Sequence, residues 1–167
     1  RRISYAPSMG VTKILDEVEP EIKRSVSKFE AVSVREENAV SLLEPYSKYK
    51  PAVVVDPTLL LDSNDWASIL PPTGVAPKSD YVFGFFIEGN FDHLHATKKF
   101  AKQKKMKYVF VPYSGLSYYQ IGDRHADAGL EDLLELIRNA RYVITDSFHI
   151  TVFSIIHRKQ FYSFMRY

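Results

Sequence analysis

The chain contains no cysteine, which excludes disulfide bonds, thiolate metal ligands and a cysteine nucleophile. It also lacks any apolar run that approaches the length of a bilayer span, so the sequence predicts no transmembrane helix. Lysine and arginine exceed aspartate and glutamate by only two, 22 against 20, which gives no indication of nucleic-acid binding. No zinc-finger or RNA-binding motif is present either. These absences are consistent with a protein of a reducing, cytoplasmic setting.

What is present is typical of a globular protein. The 167 residues are 46% hydrophobic and 25% charged, enough for one ordinary domain or for parts of two. The chain begins with a strand-like segment at 3–6 without an initiator methionine, and it ends with another at 161–167. We therefore expect a piece of a longer chain, incomplete at both ends.

Strands and helices alternate in the first 70 residues. The hydrophobic patterns predict a strand at 3–6, a helix at 19–29, a strand at 31–34, a helix opened by Arg35, and a strand at 52–55. A small-residue loop at 8–10 follows the first of these strands. The resulting βαβαβ order predicts a parallel sheet with right-handed crossovers.

A proline-rich segment at 71–79 has the composition of an interdomain linker. We expect residues 1–70 to form part of an N-terminal Rossmann-like lobe and residues 80–167 to form a C-terminal one. Within the second lobe the patterns predict strands at 81–87, 108–111, 143–144 and 161–167 and helices at 91–105 and 130–139. The predicted fold class is thus α/β, with two parallel-sheet lobes and a cleft between them, a common location for an active site.

The most informative segment is YVITDSFHIT at 142–151, an apolar strand followed by a polar turn that opens a helix. Asp146 or Ser147 can cap this helix, and His149 then lies in its first turn. Open α/β sheets bind ligands at the carboxyl ends of their strands, and a helix amino terminus attracts anions. The alternative is a capped helix whose histidine only fills space.

Four segments together resemble the polysaccharide pyruvyl transferase family. They are ISYAPSMG at 3–10, SVRE at 33–36, DPTLLL at 56–61, and DSFH at 146–149 with Thr151, Phe153 and Ser154 after it. Each motif alone is weak, but their order and spacing across nearly the whole chain make the resemblance fairly specific. Two positions depart from the family pattern. Ile150 replaces an expected glycine and is predicted to narrow the approach to His149, and Pro7 replaces a small residue.

The resemblance implies a GT-B-like enzyme that transfers the pyruvyl group of phosphoenolpyruvate to two hydroxyls of a sugar, giving a pyruvate ketal and phosphate. The acceptor would be a polysaccharide or a lipid-linked glycan, and no cofactor or metal is expected. His149 would exchange protons with the substrates, since its ordinary pKa of about 6.5 suits that role near neutrality. Asp146 would orient the histidine, or would only cap the helix. The implied substrate-binding residues are Arg35, Ser8, Ser147, Phe148 and Thr151.

The residues leave other interpretations open. Arg35 could instead form a surface ion pair with Glu36, Glu37 or another acid, while residues 56–58 are predicted to be structural, with Asp56 bonding turn amides. Two rival functions are a nucleotide-sugar glycosyltransferase of GT-B type and a non-catalytic glycan-binding module. They differ from the pyruvyl transferase in that neither would bind phosphoenolpyruvate.

Three further features carry weaker hypotheses. His93 and His95 lie two apart on a predicted helix, which makes them poor joint metal ligands, and we expect a solvated pair. Six lysines between 98 and 107 are typical of a solvated helix face, with weak contact to an anionic membrane surface as a minor hypothesis. Tyr113, Tyr118 and Tyr119 could stack on a sugar ring or pack back on the domain.

Overall fold

A computed structural model describes residues 1–88, 91–113, 115 and 121–165. The chain forms two compact units, residues 1–60 and residues 61–167. The described ranges contain six α-helices and two parallel sheets, in agreement with the predicted α/β class. The domain bounds drawn from the sequence, with a linker at 71–79, stay a prediction.

The first unit is built on a three-stranded parallel sheet in the order β1-β2-β3. Its strands are β1 (Ile3–Ser4), β2 (Ala31–Val34) and β3 (Ala52–Val53), and its helices are α1 (Glu19–Val26) and α2 (Glu37–Leu43), with 3₁₀ turns at Glu44–Tyr46 and Pro57–Leu60. The core consists of two β2 residues and three α2 residues: Val32, Val34, Ala39, Val40 and Leu43. Partly buried side chains of α1 and its flanks pack against this core, as the sequence predicts.

Two of the differences between the first unit and the sequence prediction lie at the carboxyl end of its sheet. Ala6 has a φ of 55°, a left-handed conformation that is incompatible with a strand, so β1 ends before it. Arg35 does not open a helix, because Glu36 is extended and α2 begins at Glu37. Arg35 therefore lies in the short connection between β2 and α2, at the carboxyl end of the sheet.

The second unit is a five-stranded sheet in which every pairing is parallel. In chain order it contains α3 (Ser63–Ile69), β4 (Tyr81–Phe85), α4 (Phe91–Gln103), β5 (Lys107–Phe110), β6 (Asp123–Arg124), α5 (Leu130–Asn139), β7 (Tyr142–Thr145), α6 (Phe148–Ile156) and β8 (Gln160–Ser163). The strand order is β6-β5-β4-β7-β8, which is the 3-2-1-4-5 order of a doubly wound fold.

Strand β4 lies at the centre of this sheet and is buried along its whole length. Tyr81, Phe83 and Phe85 belong to one core cluster, with residues of α5 and α6, whereas Val82 belongs to another with Leu94 and Ala101 of α4. The alternation follows from the two-residue period of a strand. The prediction of a buried strand with helices on both faces is confirmed.

The sequence prediction missed two short elements of this unit. Helix α3 begins with a capping box in which Asp62 accepts from the amides of Asn64 and Asp65, and Trp66 of this helix packs edge-on against Phe153. Strand β6, at a position where the sequence patterns predict no strand, pairs with β5 at the sheet edge. Strand β6 is too short to produce a hydrophobic period, and α3 has no fully buried residue that would mark one of its faces.

Candidate functional site

The carboxyl ends of β4 and β7 lie side by side at the point where the strand order of the second sheet reverses. Thr145, the last residue of β7, donates its hydroxyl to the carbonyl oxygen of Phe85 at 2.6 Å. The same hydroxyl oxygen accepts the amide of Ser147 at 3.0 Å. Doubly wound sheets bind ligands outside such a reversal, so the 142–151 segment lies where the sequence analysis expected chemistry.

Asp146 is buried, with 4% of its surface exposed, and its carboxylate holds the turn that follows β4. Its Oδ1 accepts the amide of Ile87 at 2.7 Å and its Oδ2 accepts the amide of Glu88 at 3.1 Å. The cap of α6 is Ser147, not Asp146, so the hypothesis of an aspartate cap is wrong. Orientation of His149 by Asp146 stays a prediction.

Ser147 begins α6 in an extended conformation, and its Oγ accepts the amide of Ile150 at 3.5 Å. Thr151, one turn later, donates its hydroxyl to the Ser147 carbonyl oxygen at 3.0 Å and lies 3.3 Å from the hydroxyl of Ser163. These bonds link α6 to its own cap and to strand β8. The amino terminus of α6 is therefore a fixed position at the edge of the sheet.

Phe148 and His149 occupy the first turn of α6, and both are exposed. Their rings meet edge-on with centroids 5.3 Å apart. Ile150, by contrast, is 3% exposed and belongs to the core cluster that includes Phe85 and Phe153. The expectation that Ile150 narrows the approach to His149 is wrong, because its side chain is directed into the protein core.

Arg35 directly follows β2, at the carboxyl end of the first sheet. Its guanidinium donates to Oδ2 of Asp56, and the side chains are 22% and 5% exposed, respectively. Asp56 also accepts the hydroxyl and, at 2.9 Å, the amide of Thr58, which confirms its predicted structural role in this turn. The partner of Arg35 is thus neither Glu36 nor Glu37 but another acid, Asp56, which is buried.

The charge state of Asp56 follows from these contacts. Burial alone would raise the pKa of this carboxyl group, but the hydrogen bonds from Thr58 and from Arg35 outweigh burial and lower it. Asp56 is consequently an anion at neutral pH. It holds the guanidinium of Arg35 at the end of β2.

Ser8 lies in the loop after β1 and donates its hydroxyl to Oε1 of Glu36 at 2.6 Å. The amide of Met9 donates to the same oxygen at 3.0 Å. The hydroxyl of Ser8 lowers the pKa of Glu36, and the amides of Met9 and Gly10 add to this effect against the opposing effect of burial. Ser8 therefore helps to hold the loop against the Glu36 carboxylate.

The predicted site residues fall into one group in each unit. Asp146, Ser147, Phe148, His149 and Thr151 lie together in the second unit, and Ser8 and Arg35 lie together in the first. The sequence analysis missed the roles of Thr145 and Glu36. Thr145 directly precedes the DSFH motif, and Glu36 is the last residue of the SVRE motif. The polar character of both residues next to a strand end was the available signal.

The remaining candidates have mixed outcomes. His95 is exposed, but His93 is half-buried and stacks on Phe164 with ring centroids 4.0 Å apart, so the prediction of a solvated pair is wrong for His93. Five of the six lysines at 98–107 are exposed, at positions 99, 102, 104, 105 and 107. Tyr113 is 63% exposed, and its ring packs against that of Phe85 with centroids 5.6 Å apart. Tyr118 and Tyr119 lie outside the described residues.

Two absences concern the part of the chain that the structure describes. None of its helices combines the length and the apolar character needed to cross a membrane. Its histidine and acidic side chains form no cluster of three or more that could hold a metal ion.

Comparison with curated proteins, solved structures and protein families shows the family of the chain. No curated protein and no solved structure matches the chain. The family model described as polysaccharide pyruvyl transferase matches residues 1–166, which is nearly the whole sequence. The match includes all four motifs and both groups of site residues. The chain belongs to the polysaccharide pyruvyl transferase family.

Proposed function

We propose that this protein transfers the pyruvyl group of phosphoenolpyruvate to two hydroxyls of a glycan sugar and forms a pyruvate ketal. The observation that carries this proposal is the position of His149, exposed in the first turn of α6 beside the strand-order reversal. An exposed imidazole at the amino terminus of a nine-residue helix combines a proton-exchanging group with amide donors for an anion. Family membership supports a pyruvyl transfer at this position.

The reaction moves two protons, one from each of the two sugar hydroxyls. One sugar hydroxyl adds to C2 of the enol phosphate, C3 gains a proton and becomes a methyl group, and the second hydroxyl displaces phosphate from C2. The two hydroxyl protons end on C3 and on the phosphate. We assign His149 as the group that accepts the first hydroxyl proton and supplies one to C3, a role for which imidazole is suited near neutral pH.

The donor carries a phosphate and a carboxylate, so its site needs fixed donors and positive charge. Arg35 provides a planar guanidinium that its ion pair with Asp56 already orients at the end of β2. In the second unit, the amino terminus of α6, fixed by Ser147 and Thr151, is a separate group of amide donors that an anion can bind. Phe148 is 48% exposed and offers an apolar face to a sugar ring. Ser8 holds the loop beside Glu36 and would contact substrate there. A GT-B-like arrangement of the lobes stays a prediction of the resemblance.

The first test is a calorimetric titration of phosphoenolpyruvate into the protein, with ketal formation assayed on the same samples. We expect saturable binding that Arg35→Ala weakens, and loss of turnover in His149→Ala with binding retained. Arg35→Lys is the matched control for charge, since it keeps the cation but loses the planar fork. A new methyl signal of the ketal in the proton spectrum of the glycan would identify the product.

Other outcomes would point to the rival functions. Binding of a uridine nucleotide in place of phosphoenolpyruvate would indicate a glycosyltransferase. Glycan binding without any binding of the donor would indicate a non-catalytic module. Either result in a folded protein would refute the pyruvyl transfer.

A lipid-linked acceptor would place the enzyme at a cytoplasmic membrane surface, and the exposed lysines between 99 and 107 support weak contact with anionic lipids. We expect cosedimentation with anionic vesicles that is lost when ionic strength rises from about 0.05 M to about 0.3 M. The variant Lys102→Gln/Lys105→Gln should bind less. Equal binding to neutral vesicles would contradict this contact.

A further inference from the structure

A depression of about 550 Å³ lies at the carboxyl end of β1 and β2 in the first unit. The residues that line it are Gly10, Val11, Thr12, Lys13, Leu15, Glu36 and Asn38. Its volume is in the range of small-molecule sites. Most of these residues are exposed, so a ligand bound there can extend into solvent, as one sugar unit of a long glycan must.

The lining combines the groups that neutral sugars require. Glu36 supplies a carboxylate and Lys13 an ammonium group, so the charges of this pair cancel. Asn38 donates one amide hydrogen to the Val11 carbonyl oxygen at 3.0 Å, and a primary amide has a second hydrogen and an acceptor oxygen besides. Val11 and Leu15, 46% and 61% exposed, offer apolar surface to the C–H face of a sugar ring.

The carboxylate is fixed before any ligand arrives. Its Oε1 accepts the Ser8 hydroxyl at 2.6 Å and the Met9 amide at 3.0 Å, although Glu36 is the residue before α2 and could have capped that helix. Gly10, with a φ of 63°, turns the loop around it, and a side chain added at Gly10 would point into open space. A preorganised carboxylate of this kind loses little freedom on binding.

Glu36 is suited to bind hydroxyls and unsuited to two other roles. A carboxylate whose pKa lies below its ordinary value is a weak base, so Glu36 is poorly suited to remove a proton from a sugar hydroxyl. Although Lys13 makes the lining neutral as a whole, the negative charge of Glu36 repels a phosphate or carboxylate that comes into direct contact with it. A neutral, hydroxyl-rich ligand is not repelled by the carboxylate and needs no base to bind. Each of its hydroxyls can donate a hydrogen bond to the carboxylate.

We propose that this depression is the acceptor subsite, in which Glu36 receives hydrogen bonds from sugar hydroxyls while Lys13 and Asn38 bind neighbouring oxygens. This assignment rests on the proposed function for its role in catalysis, but sugar binding at the site does not need the donor. The ligand class is an uncharged hexopyranoside within a glycan. Glu36 is then a specificity residue of the first unit.

Saturation-transfer NMR with a panel of methyl hexopyranosides, at millimolar concentration and without donor, tests the subsite. We expect saturable binding of at least one glycoside, weakened about tenfold in Glu36→Gln, because a charge-assisted hydrogen bond is replaced by a neutral one. Glutamine keeps the acceptor oxygen for Ser8 and Met9, so the loop should stay folded. Lys13→Met should also weaken binding.

Matched controls are Glu37→Gln, next to Glu36 but outside the lining, and Lys28→Met, an exposed residue just after the end of α1. Neither should change glycoside binding. Calorimetry with phosphoenolpyruvate runs in parallel and should give the same affinity for Glu36→Gln as for the unsubstituted protein. Absence of glycoside binding, or equal binding by Glu36→Gln and Glu37→Gln, would overturn the subsite while leaving donor binding intact. Loss of donor affinity in Glu36→Gln would instead assign the depression to phosphoenolpyruvate and likewise overturn it.

Discussion

At the scale of single residues, the carboxylate of Asp146 has the most consequential contacts in the second unit. It is buried and spans two adjacent strand ends, because it follows β7 and accepts the two amides that follow β4. A buried carboxylate that accepts backbone amides satisfies donors that would otherwise lose water without compensation. Asp146 thus maintains the shape of the sheet edge on which His149 is presented.

The variant Asp146→Asn tests this role. An asparagine has one acceptor oxygen, so it can satisfy the amide of Ile87 or of Glu88, but it presents amide hydrogens to the other. We expect the free energy of unfolding to fall by about 1–3 kcal/mol. Urea unfolding measures this change, with Asp127→Asn, an exposed aspartate, as the control. Unchanged stability would show that the hydrogen bond lost in Asp146→Asn contributes nothing to folding.

At the scale of secondary-structure elements, the amino terminus of α6 depends on Ser147. The Ser147→Ala variant removes the acceptor for the Ile150 amide, and loss of a serine cap costs about 0.5–2 kcal/mol of stability. We expect the lower part of that range, since the bond is long at 3.5 Å. Thermal unfolding of Ser147→Ala and of Ser147→Asp should show destabilisation only in the alanine variant. Equal melting temperatures would mean that Ser147 does not cap the helix.

Helix α5 holds the segment that precedes β4 through one buried side chain. Glu135 is 5% exposed and accepts the amides of Thr73, Gly74 and Ala76, together with the Thr73 hydroxyl. Burial alone would raise the pKa of Glu135, but these hydrogen bonds outweigh it and lower the pKa below the ordinary value of 4.5. The proline-rich segment is therefore anchored to the second unit.

The sign of the pH effect follows from the lowered pKa of Glu135. Its contribution to stability is complete above the unfolded-state pKa of about 4.5 and is lost as the pH falls through the folded-state value. We expect Glu135→Gln to lower the free energy of unfolding by about 1–3 kcal/mol at pH 7, as measured by urea unfolding. This difference should shrink as the pH falls below the unfolded-state pKa and through the lowered pKa of the folded state.

Glu131→Gln, the same change at an exposed position on α5, is the control for that measurement. A stability difference that grows as the pH falls would contradict the lowered pKa. Equal stabilities at pH 7 would contradict the anchor itself.

At the scale of the whole molecule, the chain has two units with separate cores. Val34 is fully buried in the first core, while the single tryptophan, Trp66, lies in the second unit against Phe153. Tryptophan fluorescence therefore reports on the second unit alone, whereas the far-ultraviolet circular dichroism reports on both. This difference allows their unfolding to be separated.

Val34→Ala removes two buried methyl groups and should destabilise the first unit by about 2 kcal/mol. We expect the circular-dichroism transition to broaden toward lower urea while the fluorescence transition of Trp66 stays in place. Val143→Ala, in the second core, should shift the fluorescence transition and is the reciprocal control. Coincident shifts in both probes would show that the chain unfolds as one cooperative unit.

Periodicity was sufficient to predict most of the secondary structure. The strand at Ala31–Val34 and the helix at Leu130–Asn139 have the bounds expected from the sequence, because each has a clear hydrophobic period and polar flanks. Family motifs identified the chain, and the family match confirms that identification. Local patterns also placed His149 in the first turn of a helix after a buried strand.

The sequence by itself thus determined the α/β class, the parallel pairing and the chemical type of the site residues. The tertiary structure decided which partners they have. Asp146 bonds to residues 58 and 59 positions away, and Arg35 bonds to Asp56 across 21 positions. The same folding turned Ile150 into the core and stacked His93 on Phe164. Periodicity records which face of an element is buried, but contacts between distant segments form only when strand order and helix packing bring them together.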